Sequence, residues 1–385
     1  HGVELTDKEW QTLYNWIDFN APYHGKFKAN VFKGVEQISR RTELTEKYAG
    51  SGVDWKAEIR SYADYLSKQE KPAAVKPERK EYKDKEVKLK GWPFDAATAK
   101  AMLSKETETQ KSIELAPGIR MNFVRVPAGS FVMGSNRGHS DYSPVSKQVV
   151  KKAFWMGEIE VSNEQFRTIF PEHNSRFIGQ LWKDHVHEGY PANNPEQPAI
   201  RVSWQEAMDF CKKLSEKTGL NVTLPTEVQW EWACRAGSDD DFWYGSLNTD
   251  FAKFENLADV QLNKAAVRGV NPQPMNPNDS WYKYYTYQPK ENGVDDGNML
   301  MVKGGSYQAN PWGLYDMQGN VAEWTRSDYM PYPYNEKAQD GTGTEKVARG
   351  GSWTEHPKTC TSYYRKAYLP WQKVYNVGFR VIIED

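Results

Sequence analysis

The sequence predicts an α+β fold, low in regular secondary structure and preceded by a helical amino-terminal segment. Three observations predict it. Two helices carry their own start signals, at Ser203 with Glu206 three residues on and at Thr226. The stretch Ile119–Val126 alternates well enough for a strand. Residues 238–307 are dense in Gly, Asn, Asp and Pro and show poor periodicity. So long an irregular stretch inside one domain needs something to tie it down, such as metal ions or loop-to-loop hydrogen bonds.

Residues 1–70 read as helical, with Trp10, Leu13, Tyr14 and Ile17 on one face and a second pattern from Trp55 to Leu66. Residues 71–116 form a charged linker and a short helix, Ala96–Leu103. The linker's acidic and basic residues alternate, so it reads as solvated chain rather than a nucleic-acid arm. The third region, 117–385, starts with the 119–126 strand, which Pro127-Ala-Gly129 ends and Ser130–Met133 resumes. The helix after Ser203 turns Ala207, Phe210, Cys211 and Leu214 inward and closes at Gly219. The helix after Thr226 runs through Arg235 and ends at Gly237. From Val347 to Ile383 the pattern is strand, irregular loop, strand.

Composition narrows the function classes. The 385 residues carry a net charge of -1, so nothing draws the whole chain to nucleic acid or an anionic membrane. Mean hydropathy is -0.81 and no run of about 18 apolar residues occurs, which excludes a membrane-spanning helix. The 15 Trp, 22 Tyr and 15 Phe supply a core built on aromatic area. Three cysteines, Cys211, Cys234 and Cys360, form no CxxC. There is no phosphate-binding GxxxxGK[ST] loop, and no GxSxG elbow surrounds Ser352, whose expected role is a turn hydrogen bond. The cluster Asp184-His185-Val-His187-Glu188 has metal-like spacing without an obvious third ligand.

Four segments stand in order: Phe123 to Gly134, Leu224 to Arg235, Asn310 to Trp324, and Arg349-Gly-Gly-Ser-Trp353 followed by Gly378-Phe-Arg-Val381. Together they resemble the formylglycine-generating enzyme family, also called sulfatase-modifying factor, over about residues 117–383. The resemblance implies a C-type-lectin-like fold whose long loops calcium holds. Calcium takes several hard oxygen ligands in a flexible shell. In Asp316-Met-Gln-Gly-Asn-Val-Ala-Glu323 two carboxylates flank a glycine turn. By similarity, Asp316 and Glu323 would give side-chain oxygens and Gly319 and Val321 backbone carbonyls. A second site would use Asn256, Leu257, Asp296 and Asn298. Turn residues satisfying loop backbone are the plainer reading of both groups.

Family oxidases hold copper(I) on two cysteines five residues apart, and soft thiolates select that metal. Here the second position is Cys360 and the first is Glu355. A glutamate oxygen is a poor substitute, so copper(I) is not expected. Ser352, His356 and Asn376 do match active-site positions of the family. Cys211 and Cys234 match positions bridged in some members, but their partners align with Val381 and Arg365, so both thiols are expected free and buried. The segment Trp10 to Gly25 faintly resembles the end of a hydrazine-synthase-α-like region of bacterial envelope proteins. That implies export, a periplasmic or cell-surface location, and a place within a larger protein or complex. The expected function is a non-catalytic, calcium-stabilised binding or scaffold module for a peptide, protein or glycan. Trp371 and Tyr375, in the aromatic loop 354–377, are its expected contacts. The alternative is a copper-dependent oxidase of formylglycine-generating type with an altered site at Cys360.

Overall fold

A computed structural model describes residues 46–47, 55–68, 87–137, 140–178, 190–268, 271–274, 291–339, 341 and 343–385. The helix expected near Trp10, most of the charged linker and the Asp184–Glu188 cluster lie outside them. The chain divides into two compact units, His1–Tyr82 and Lys83–Asp385, each taken here by itself. Within the first, α1 spans Trp55–Lys68, two residues beyond the expected pattern, and Tyr62 and Tyr65 stack on its exposed side.

The second unit opens with α2 (Ala96–Leu103), capped by Asp95, whose carboxylate accepts from the Thr98 amide. Strands β1 (Gln110–Ala116), β2 (Ile119–Val126), β3 (Gly129–Met133), β4 (Ser146–Val150) and β5 (Phe154–Gly157) follow. Next come α3 (Asn163–Arg167), β6 (Phe177–Ile178), β7 (Tyr190–Pro191), α4 (Trp204–Thr218), β8 (Asn221–Thr223) and α5 (Glu227–Arg235). The remainder is β9 (Ala265–Arg268), β10 (Asn271–Pro274), β11 (Ala322–Asp328), β12 (Lys346–Arg349), β13 (Arg365–Tyr368), β14 (Val377–Gly378) and β15 (Ile382–Glu384). This is the α+β architecture expected, with short elements and long connecting loops.

One sheet, in the order β1-β2-β5-β15-β8, carries the core. Its central strands are buried on both faces, and strand alternation sorts their side chains. Val124, Val126, Phe154, Met156 and Ile382 face a cluster with Phe131, Trp230, Trp232 and Trp312. Met121, Phe123, Trp155 and Ile383 face the other way, onto Phe166, Phe210, Leu214 and Phe379. The α2 helix belongs to this unit because Ala99, Met102 and Leu103, with Trp92 and Phe94, pack on the tryptophan side. The unit therefore starts ahead of the boundary drawn at residue 117.

The capping box expected at Ser203 forms, and boxes also form at Thr226 and at Ser162, ahead of α3. Ser203 Oγ accepts from the Glu206 amide while Glu206 Oε2 accepts from Ser203 N at 2.9 Å. Thr226 and Gln229 repeat the arrangement. Gly219 closes α4 in the left-handed conformation. At the end of α5 that conformation falls to Ala236, one residue before the expected Gly237. A Cβ on Gly237 would run into Phe94.

A second sheet, β13-β12-β11-β14, gathers the carboxy-terminal motifs. Its β11 pairs antiparallel with β12 and parallel with β14. The loops entering β11 and leaving β12 are thus held side by side.

Candidate functional site

The loop after β12 begins with Gly350 and Gly351, at φ +92° and +72°. Only glycine takes such angles without strain. Space demands it too, since a Cβ at Gly351 would collide with Cys360 Sγ. The turn delivers Ser352, whose Oγ accepts from Asn376 Nδ2 at 2.8 Å. Glu355 Oε1 accepts from the same amide at 3.0 Å and from the Lys366 ammonium. The Glu355 carbonyl accepts from Ala258 N at 3.0 Å and from Cys360 Sγ at 3.7 Å. Ser352, Glu355, Cys360 and Asn376 therefore meet. His356 turns away: its Nδ1 accepts from Lys358 N and its Nε2 faces Glu291 Oε1 at 2.8 Å.

Cys360 is 0% exposed. Burial, and then the Glu355 charge, push its thiol well above the ordinary range. Copper(I) chemistry asks for accessible thiolate pairs. The donors here are one buried thiol, a carboxylate already paired with an ammonium, and an imidazole engaged elsewhere, so the set does not fit copper(I). Cys211 and Cys234 are unbridged and buried on α4 and α5.

The two groups of oxygen ligands expected for calcium adjoin. A Cβ on Gly319 would lie 2.6 Å from the Asn256 carbonyl, and Asn320 N donates to that carbonyl at 2.9 Å. In the first group Asp316, at φ +54°, accepts from Gly305 N through Oδ2 at 2.6 Å. Its Oδ1 is buried without a hydrogen-bond partner among the described residues. Glu160 adds a second such oxygen: Oε1 accepts from Asn320 Nδ2 at 3.1 Å, and Oε2 is buried and unpartnered. Burial, and then the Asp316 charge, hold the Glu160 carboxyl well above the usual range. Glu323 is otherwise engaged, with both oxygens accepting from Arg380 and Oε2 also accepting from Trp230 Nε1 at 2.7 Å. Val321 packs its side chain with Trp353 and Met301, and Gly319 lies against the Asn256 carbonyl.

In the second group Asn256 donates to the Leu300 carbonyl at 2.8 Å and leaves Oδ1 buried and unpartnered. Asp296 Oδ1 accepts from Asn298 N at 2.7 Å, while Oδ2 is likewise orphaned. Leu257 packs its side chain with Phe242 and Phe251, which leaves only its backbone for a ligand role. Buried orphan oxygens are costly without a partner. Asn256, Asp296, Asp316 and Glu160 supply one each, all oxygens of the hard type calcium takes, while no three His, Cys, Asp or Glu side chains cluster as a metal site among the described residues.

Of the expected recognition residues, Trp371 is 69% exposed. Tyr375 is half-buried, edge-on to Trp353 at 6.4 Å between ring centres. Tyr363 lies in the core, and Tyr368 packs against Trp324.

The family model for the sulfatase-modifying factor enzyme 1-like domain matches residues 109–385. The chain belongs to that family. The mouse formylglycine-generating enzyme is 25% identical over 307 residues, covering 67% of this chain and 73% of that protein. Bovine inactive C-alpha-formylglycine-generating enzyme 2 is 26% identical, covering 63% of this chain and 80% of its own. Among solved structures, PvdO from Pseudomonas aeruginosa shares the fold, with a TM-score of 0.54 and 23% identity across 73% of this chain and all of that one.

Within the family frame, the sequence pointed to most of the site's loop residues but not to Glu160, Lys366 or Arg380. Arg380 lies inside the Gly378-Phe-Arg-Val381 motif, which is the one local signal any of the three carries. Lys366 sits 11 residues from Glu355, on a strand with no evident pattern.

Proposed function

We propose that this chain is a non-catalytic member of the family, a calcium-stabilised binding or scaffold module. One observation carries the reading. Where a copper pair would need a thiolate, Glu355 is bonded to Lys366 and Asn376, beside a Cys360 that is wholly buried. The orphaned oxygens of Asn256, Asp296, Asp316 and Glu160 support calcium as the structural ion. Bound there, calcium would neutralise buried carboxylates and hold the loops together. The exposed Trp371 indole supports a ligand that stacks on an aromatic face, of peptide, protein or glycan nature. The amino-terminal resemblance supports export, to the periplasm or cell surface of a bacterium, within a larger envelope protein or complex.

The test is an anaerobic copper(I) titration, followed in the same tube by oxygen and a Cys-x-Pro-x-Arg peptide, with products read by mass spectrometry. The expected result is no stoichiometric copper and an unchanged peptide. One copper per chain, lost in Cys360→Ser, together with formylglycine in the peptide, would replace this reading with an oxidase of altered site.

A further inference from the structure

The Glu355 carboxylate meets polar groups from two other segments through Oε1, while its Oε2 is buried without a hydrogen-bond partner among the described residues. Glu355 lies in the loop after β12, Lys366 on β13, and Asn376 just ahead of β14. The side chains of Glu355 and Lys366 are 12% and 24% exposed. Asn376 donates to both Glu355 and Ser352, which aligns the carboxylate toward the ammonium. Burial by itself would lower the Lys366 ammonium, yet the adjacent Glu355 charge raises it above its ordinary value. The lysine is thus held charged where solvent is largely excluded. A carboxylate so placed is strongly destabilising without a cation beside it.

We infer that Lys366 is the resident cation of this site. Its ammonium takes the place a metal would otherwise fill, so the Glu355 charge is balanced from within the chain. The inference rests on the non-catalytic reading and adds the residue that makes Glu355 tolerable there. A chain carrying Glu355 without Lys366 would bury an uncompensated charge. A chain carrying Lys366 without Glu355 would leave an ammonium beside Tyr368 without its counter-ion.

Two measurements on the full chain test this. In the first, an amine-reactive ester labels the wild type and Glu355→Gln, and the Lys366 peptide is followed by mass spectrometry. An ammonium held in an ion pair reacts slowly, so Lys366 should label at least about ten-fold faster in Glu355→Gln. Equal rates would overturn the inference. The second is a thermal double-mutant cycle of Lys366→Met, Glu355→Gln and the pair, with Lys366→Arg as the charge-conserving variant. Lys366→Met should lower the melting temperature by roughly 4–8 °C, and adding Glu355→Gln should recover most of that loss. Additive losses would overturn it. The labelling experiment stands on its own if Lys366→Met does not fold. Copper bound by the wild type in the anaerobic titration would instead overturn the non-catalytic reading, whatever the outcome of these two measurements.

Discussion

Arg380 and Glu323 form a wholly buried ion pair that joins β11 to the turn between β14 and β15. Arg380 Nη2 donates to Glu323 Oε1 at 2.6 Å, and Nε donates to both carboxylate oxygens. The remaining guanidinium hydrogens go to the carbonyls of Gly157, Glu158 and Tyr315, at 3.1, 3.4 and 2.9 Å. One arginine thereby ties the central sheet to the loop that holds Asp316. It also opposes the burial that raises the Glu160 and Asp316 carboxyls.

Removing this arginine should therefore cost more than one hydrogen bond. Arg380→Met is expected to lower unfolding stability by about 3–5 kcal/mol, because Glu323 is then buried without its counter-ion. Urea denaturation measures it. A loss below about 1 kcal/mol would mean that the surrounding carboxylates simply take up protons.

Calcium should stabilise the second unit by mass action. At a free concentration about a hundred-fold above Kd, one bound ion adds about 2.7 kcal/mol. Melting the protein in a calcium chelator and then restoring calcium should show a reversible shift. Asp316→Asn with Asp296→Asn should abolish that shift. Magnesium should restore little of it, since it prefers a rigid octahedral shell. A melting curve indifferent to chelator would remove calcium from the account.

The Gly351 turn predicts a contrast between two glycines. Gly351→Ala meets both a left-handed backbone and Cys360 Sγ, so a loss of about 2–4 kcal/mol is expected. Gly118 is also left-handed, at φ +79°, but opens onto empty space, and Gly118→Ala should cost about 1 kcal/mol. Comparable losses would show that backbone strain alone sets the cost at Gly351.

His173 gives the pH dependence a definite sign. Its ring packs edge-on to Phe166, and burial lowers its pKa to about 4. A folded-state value below the unfolded one, about 6.5, contributes stability above that pH. That contribution fades as pH falls toward 4. Between pH 7 and 4 the loss should be about 1–2 kcal/mol, allowing for the ring's partial exposure. The variant His173→Phe should show a shallower decline over that range.

Trp371 should separate binding from folding. Exposed as it is, Trp371→Ala should leave the melting temperature nearly unchanged and weaken capture on glycan and peptide arrays. Tyr363→Ala, in the core cluster, should unfold the protein more readily by about 3 kcal/mol.

Elements whose signals are local in the chain are legible in the sequence alone. Ser203 with Glu206, and Thr226 as a cap, each mark a helix start within a few residues, so α4 and α5 announce themselves. The four ordered motifs identify the family, and through it the convergence of Ser352, Glu355, Cys360 and Asn376. Strand β5 is not legible. Phe154, Trp155 and Met156 are all apolar because the strand is buried on both faces, which erases the alternation that marks a strand.

The chain's own order of residues settles which positions can carry chemistry: one thiol at Cys360, a carboxylate at Glu355, a glycine pair ahead of Ser352. Whether those groups are available is decided by folding. The partners of Glu355, Glu323 and Asp316 arrive from other strands and loops, and no local pattern encodes a charge brought from 11 or 57 residues away. Burial sets the cost of each unpaired oxygen, and burial exists only once the two sheets have packed.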